Sequence, residues 1–105
     1  MKFIETKHFL NQLQSLSERF PKIGHDWQDF EKAFSVQLGI SLGEGVYKFR
    51  YKNSSIPTGK SGGFRIIVKV FENKVLPLMI YSKTDISNIY KVQILSALKK
   101  TLEEL

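Results

Sequence analysis

The first third of the chain repeats its apolar positions at helical spacing. Residues 2–5 read as a short strand. Phe9, Leu10, Leu13, Leu16 and Phe20 then predict a helix from about Lys7 to Phe20, with Thr6 as its N-cap and Pro21 closing it. A second helix is signalled by Asp26 as N-cap, Asp29 three residues on, and a stripe of Trp27, Phe30, Phe34 and Leu38. Gly39, Gly43 and Gly45 mark an exit loop. The aromatic residues read as core rather than as a stacking surface, because large rings are usually buried.

The period then changes to two. From Val46 to Lys52, VYKFRYK places Tyr47, Phe49 and Tyr51 on one face of a strand and Lys48, Arg50 and Lys52 on the other. A loop of turn-forming residues follows. A second strand, Phe64 to Phe71, puts Phe64, Ile66, Val68 and Val70 on one face and Arg65, Ile67, Lys69 and Phe71 on the other. Glu72-Asn73-Lys74 reads as a hairpin turn into a third strand from Val75 to about Tyr81. Pro77 within it cannot donate to a ladder and belongs on an edge or at a bulge. A last helix is expected from about Asn88, capped by Ser87 or Asp85, with Ile94, Leu98, Leu102 and Leu105 at helical spacing. The order β-α-α-β-β-β-α implies one α+β domain over residues 1–105, an antiparallel meander with two N-terminal helices and a C-terminal helix packed on one face.

Composition narrows the chemistry. The 105 residues are 42% apolar and 25% charged, which is ordinary for a globular protein. The absence of cysteine excludes a disulfide scaffold, a zinc ribbon, an iron–sulfur site and a thiol nucleophile. No apolar run approaches the ~18 residues that span a bilayer, and the N-terminus does not resemble a signal peptide. A cytoplasmic domain without membrane association is expected.

Charge is unevenly spread. Residues 1–44 hold five basic and six acidic residues, whereas residues 45–83 hold eight basic residues and one acid, Glu72. A cationic segment inside a near-neutral chain points to a polyanion, nucleic acid first. Lys48, Arg50 and Lys52 project about 7 Å apart from one sheet face, and Arg65 and Lys69 join them if the next strand pairs alongside. Like charges packed this way are unfavourable without an anion to offset them, and no acid stands between Gly45 and Phe71. This face therefore reads as a phosphate-binding surface, with Tyr51, Phe71 and Tyr81 as candidates for base stacking.

Other chemistries are weaker. Gly59-Lys60-Ser61 invites a phosphate-loop reading, but Ser54 stands where the first glycine belongs and the segment opens a strand rather than a helix. His8 and His25 are the only histidines. His25 and Asp29 share a helix face, yet two ligands do not make a metal site. No serine sits in a nucleophile turn, and Glu103 and Glu104 read as solvated. No metal and no small-molecule cofactor is expected.

VYKFRY, then GKSGGFRIIVKVFENKV, then IYSKTD and a closing helix resemble the RelE/HigB branch of the RelE/ParE toxins of bacterial toxin–antitoxin modules, most sharply over residues 46–85. The resemblance implies a compact sheet with two N-terminal helices. It also implies a toxin that cleaves messenger RNA in the ribosomal decoding site and is neutralised by a tightly bound cognate antitoxin. The family's basic pair on the first meander strand matches Lys48 and Arg50. The arginine of its GG-aromatic-Arg element matches Arg65, and the lysine after the third strand matches Lys83. Thr84 stands where some relatives carry arginine, and Tyr90 is in the helix that carries their functional tyrosine. Lys52, Lys60, Lys69 and Tyr81 complete the expected RNA contacts.

Cleavage through the 2′-hydroxyl needs a base, stabilisation of the phosphorane and a proton for the 5′-oxygen. A lysine among cations has its pKa pushed down, so Lys48 is the candidate base. Arg50 and Arg65 suit bidentate phosphate contact, and Lys83 completes the clamp or supplies the proton. Two alternatives share the scaffold: a ParE-type DNA gyrase inhibitor, and a degenerate toxin that only binds its antitoxin.

Overall fold

A computed structural model describes residues 1–57 and 62–105. The chain is α+β, with the β-α-α-β-β-β-α order carried on a five-stranded sheet. The strands are β1 (Lys2–Phe3), β2 (Ile40–Gly43), β3 (Val46–Tyr51), β4 (Phe64–Phe71) and β5 (Lys74–Ser82), arranged β1-β5-β4-β3-β2. β2 lies in the segment expected as an exit loop. Glu44 and Gly45 adopt φ of 55° and 74°, a tight reversal that lays Ile40 opposite Lys48. Gly45 is required there, because a Cβ would come within 2.8 Å of the Val70 carbonyl. β2 to β5 form the expected antiparallel meander, while β1 joins β5 in parallel and makes the sheet mixed. Pro77 lies on an interior strand and is tolerated because it falls at the bulge where the β4–β5 register shifts.

The helices differ from expectation mainly at their ends. α1 (Lys7–Ser17) is capped by the Thr6 hydroxyl, which accepts from the Phe9 N–H at 3.2 Å. It stops short of Phe20, which precedes Pro21 and is buried outside the helix. α2 (Ile23–Lys32) starts before Asp26, so that residue is not the cap. Its buried carboxylate accepts from the Ser54 N–H at 2.8 Å and from the Ser54 hydroxyl, pinning the chain that leaves β3. Phe34 lies beyond the helix and Leu38 in a 3-10 turn, 73% exposed, so the apolar stripe runs further than the helix does. α3 (Lys91–Glu103) begins after Tyr90, whose N–H donates to the Gln93 side chain at 2.8 Å; neither Ser87 nor Asp85 caps it.

The helices cover both faces of the sheet rather than one. α1 and α2 bring Phe9, Trp27 and Phe30 onto Phe49, Phe64, Ile66 and Val68. Phe3, Phe30, Phe34 and Phe49 interlock there largely edge to face. α3 packs Ala97, Ile94 and Leu98 against Val46, Ile67, Leu76 and Leu78 on the other face. Each fully buried large side chain contributes about 1.5–3 kcal/mol.

Two side chains fasten the margin of this assembly. β1 is too short to cover β5, and the Gln12 amide takes over. Its Nε2 donates to the Leu78 carbonyl and its Oε1 accepts from the Ile80 N–H, both at 3.0 Å. At the other helix pair, the Glu104 carboxylate accepts from the N–H groups of Lys7 at 2.7 Å and His8 at 2.9 Å, so the end of α3 caps the start of α1. These bonds, the one from His8 foremost, hold the Glu104 carboxyl below its ordinary pKa. A depressed carboxyl stabilises the fold above its ordinary titration range and loses that contribution as pH falls through its folded value. Acidification below about pH 4 should therefore accelerate hydrogen exchange at the Lys7 and His8 amides before the core amides, an order that NMR can read. Gln12→Ala should lower stability by about 1–3 kcal/mol, the usual cost of leaving buried partners unpaired, as measured by urea denaturation.

Candidate nucleic-acid interface

Strand register assembles the cationic face. Arg50 on β3 stands directly opposite Arg65 on β4, and Arg65 directly opposite Tyr81 on β5. Opposed residues in an antiparallel pair share a face, so the three form one row across the sheet. Lys48 lies two residues from Arg50 on the same side, opposite Ile67. Farther along this face, Val46, Ile67 and Leu76 belong to the core beneath α3. Tyr81, in the same row as Arg50 and Arg65, still belongs to that core, so the cations stand at its margin.

Lys83 reaches the same end from the turn that follows β5. Its N–H donates to the Gly63 carbonyl at 3.0 Å. Gly63 is itself wedged against β3, where a Cβ would sit 2.2 Å from the Tyr51 carbonyl oxygen. This close approach explains why the residue before Phe64-Arg65 is glycine. The turn is braced by further contacts. Arg19 forms a two-pronged ion pair with Asp85, the longer contact being 3.1 Å; the Asp85 N–H donates to the Ser82 carbonyl at 3.0 Å; and the hydroxyls of Ser82 and Thr84 meet at 2.8 Å. The Lys83 ammonium donates to the Ser87 carbonyl. Asp85 and Arg19 are positioning residues that sequence reasoning did not single out for the site; only their opposite charges, 66 residues apart, carried any signal.

Electrostatics report the same cluster. The Lys48 ammonium is held below the ordinary lysine pKa, first by burial and then by repulsion from Lys83, Arg65 and Arg50. Arg65 is 3% exposed and touches the Phe64 carbonyl at 3.4 Å; burial, then Arg50, lowers its pKa. Burial raises the Tyr81 pKa while neighbouring Arg65 opposes the rise. Lys48, Arg50, Arg65 and Lys83 thus stand together.

The remaining expected contacts are placed differently. Tyr81 is 6% exposed and packs in the core under α3, so its ring flanks Arg65 instead of offering a stacking face. Lys69 shares the sheet face but lies at the far end, where its ammonium donates to the Glu44 carbonyl. Lys52 is exposed just beyond β3, and Lys60 lies outside the described residues. Tyr51 packs against the core on the opposite face, and Phe71 is exposed at the distant β4–β5 hairpin. Tyr90, 65% exposed at the start of α3, is an aromatic ring open to solvent. The histidines have other partners: His8 meets Gln12 at 3.2 Å and His25 meets Asp29 at 3.3 Å.

Four cations gathered in this way can grip a phosphodiester from several sides, and Lys48, with its lowered pKa, gives up a proton more readily than an ordinary lysine. In comparisons with known proteins, no protein-family model and no curated protein matches the chain. Among the described residues, no helix is long and apolar enough to cross a membrane. Gly63→Ala should force β3 and β4 apart at the site, with a loss of about 1–3 kcal/mol in denaturation and faster exchange at the Lys83 amide.

Proposed function

We propose that the protein is a ribosome-dependent messenger-RNA endoribonuclease, the toxin of a type II toxin–antitoxin module, acting in the cytoplasm and neutralised by a cognate antitoxin. The observation that carries this reading is the gathering of Lys48, Arg50, Arg65 and Lys83 at the margin of the core under α3, with the Lys48 pKa lowered by burial and by the other three.

Cleavage is an internal displacement. Neutral Lys48 takes the proton from the 2′-hydroxyl of the RNA. The 2′-oxygen bonds to the adjacent phosphorus, and the bond from phosphorus to the 5′-oxygen breaks. Lys83 protonates the departing 5′-oxygen, leaving a 2′,3′-cyclic phosphate and a 5′-hydroxyl. Arg50 and Arg65 hold the non-bridging oxygens as charge builds on them. The ribosome supplies the in-line geometry that free RNA adopts only briefly. Because Lys48 must be neutral, the rate should rise as pH climbs through its lowered pKa.

Primer extension on a reporter message in a reconstituted translation system tests this. Cuts should appear only on translated message. Lys48→Arg keeps the charge but cannot give up a proton, so it should retain RNA binding while cutting falls by about 100-fold or more. Arg50→Ala should weaken both. Cuts on naked RNA would retain the nuclease and remove the ribosome; no cuts by folded protein would sink the proposal and favour gyrase inhibition or an inactive relative. Binding of single-stranded RNA should weaken as salt rises, because cations that contact its backbone release condensed counterions.

A further inference from the structure

β2 pairs with β3 only as far as Lys48, so Phe49, Arg50 and Tyr51 have no strand on that side. The alternation of hydrogen bonds in an antiparallel pair decides which of them faces outward. The Val70 N–H donates to the Gly45 carbonyl at 2.8 Å, and these two residues continue the β3–β4 register. Tyr47, Phe49 and Tyr51 therefore turn their backbone groups toward β4. Arg50 turns its N–H and its carbonyl the other way, a donor and an acceptor side by side on an edge without a strand partner.

A cavity of about 130 Å³ adjoins this edge, lined by Arg50 and by the rings of Phe30, Phe34, Phe49 and Tyr51. The rings brace one another. The Phe30 centroid is 5.8 Å from Phe34, 5.2 Å from Phe49 and 5.5 Å from Tyr51, all three pairs edge to face. Ala33 and Leu38 complete the lining from the end of α2 and the 3-10 turn. Leu38, 73% exposed, offers an apolar surface that a flat ligand would cover.

We propose that this cavity binds one pyrimidine base, carried by the RNA strand whose phosphate the cationic cluster grips. Three features select that occupant. An aromatic lining suits a flat ring. A pyrimidine edge carries an acceptor beside a donor, the complement of the Arg50 N–H and carbonyl. Size is the third. The volume is near the ~150 Å³ that accepts a benzene ring and far below the ~300 Å³ of drug-sized pockets, so one six-membered ring fits and a fused purine overfills it. Arg50 links base and phosphate, because it lines the cavity while its guanidinium acts on Lys48 and Arg65. The RNA source rests on reading the cluster as the phosphate grip of a nuclease, whereas the base chemistry of the cavity does not.

NMR titration of the isotope-labelled full chain with cytidine monophosphate and adenosine monophosphate tests the site. The cytidine nucleotide should shift the Arg50 amide and slow its hydrogen exchange. The adenosine nucleotide should bind about tenfold more weakly or worse, because its second ring overfills the cavity. Ala33→Phe and Leu38→Glu, made at exposed positions outside the cationic cluster, should each abolish the shift at Arg50 without lowering the urea midpoint. In the translation assay, wild-type cuts should fall beside pyrimidines, and Ala33→Phe should cut without that preference. Equal binding of the two nucleotides, or shifts confined to Lys48, Arg65 and Lys83, would overturn the base site. A pyrimidine preference that survives Ala33→Phe, or no preference in the wild type, would overturn the RNA source. If the cytidine nucleotide binds in an Ala33-dependent way but folded protein neither binds nor cuts RNA, the cavity stands as a site for a free pyrimidine nucleotide and the nuclease reading alone falls.

Discussion

Arg50 and Arg65 stand directly opposite each other on neighbouring strands, with Arg65 almost fully buried. Two like charges in register repel, and burial adds a desolvation cost to that repulsion. The arrangement persists because the surrounding structure holds it from several sides. The core under α3 lies along the same sheet face, Tyr81 flanks Arg65, and the pairing of β3 with β4 fixes both backbones. The strand register thus sets two guanidinium groups side by side on one sheet face.

The same logic explains how α3 shapes the site without belonging to its cationic row. Its apolar stripe is short, and the sheet face it covers ends where the cations begin. A longer stripe would bury Lys48 and Arg50 outright, whereas a shorter one would leave Ile67 and Leu78 in water. Lys48 thus lies at the boundary between a hydrophobic core and solvent, where partial desolvation lowers its pKa.

Much of this was legible in the residues themselves. Alternation in VYKFRYK placed Lys48 and Arg50 on one face, Thr6 marked the start of α1, and Pro77 called for an edge or a bulge. The unread portion depended on distant pairings. β2 has four residues and no strong alternation, and it forms because Gly43, Glu44 and Gly45 all take positive φ. Asp26 looked like a cap because its partner, Ser54, is 28 residues away. The expectation that all helices share one face failed because Ile67 and Leu76, which call for a second cover, sit on strands whose opposite positions are apolar too. In the site, Lys69 and Tyr81 have suitable side chains and the right sheet face. The place of Lys69 at the far end of the sheet and the burial of Tyr81 become visible only when register and core are known.

Gln12 shows how closely α1 and the sheet share one fate. Its amide stands in for a missing strand on the margin of β5, bonding Leu78 and Ile80. Should α1 peel away, the backbone of β5 would be left as an open template flanked by some of the most apolar sequence in the chain. Such a template recruits strands from other molecules. Local opening of one helix would then be a route to aggregation, which makes the seating of α1 a condition of solubility as well as of stability.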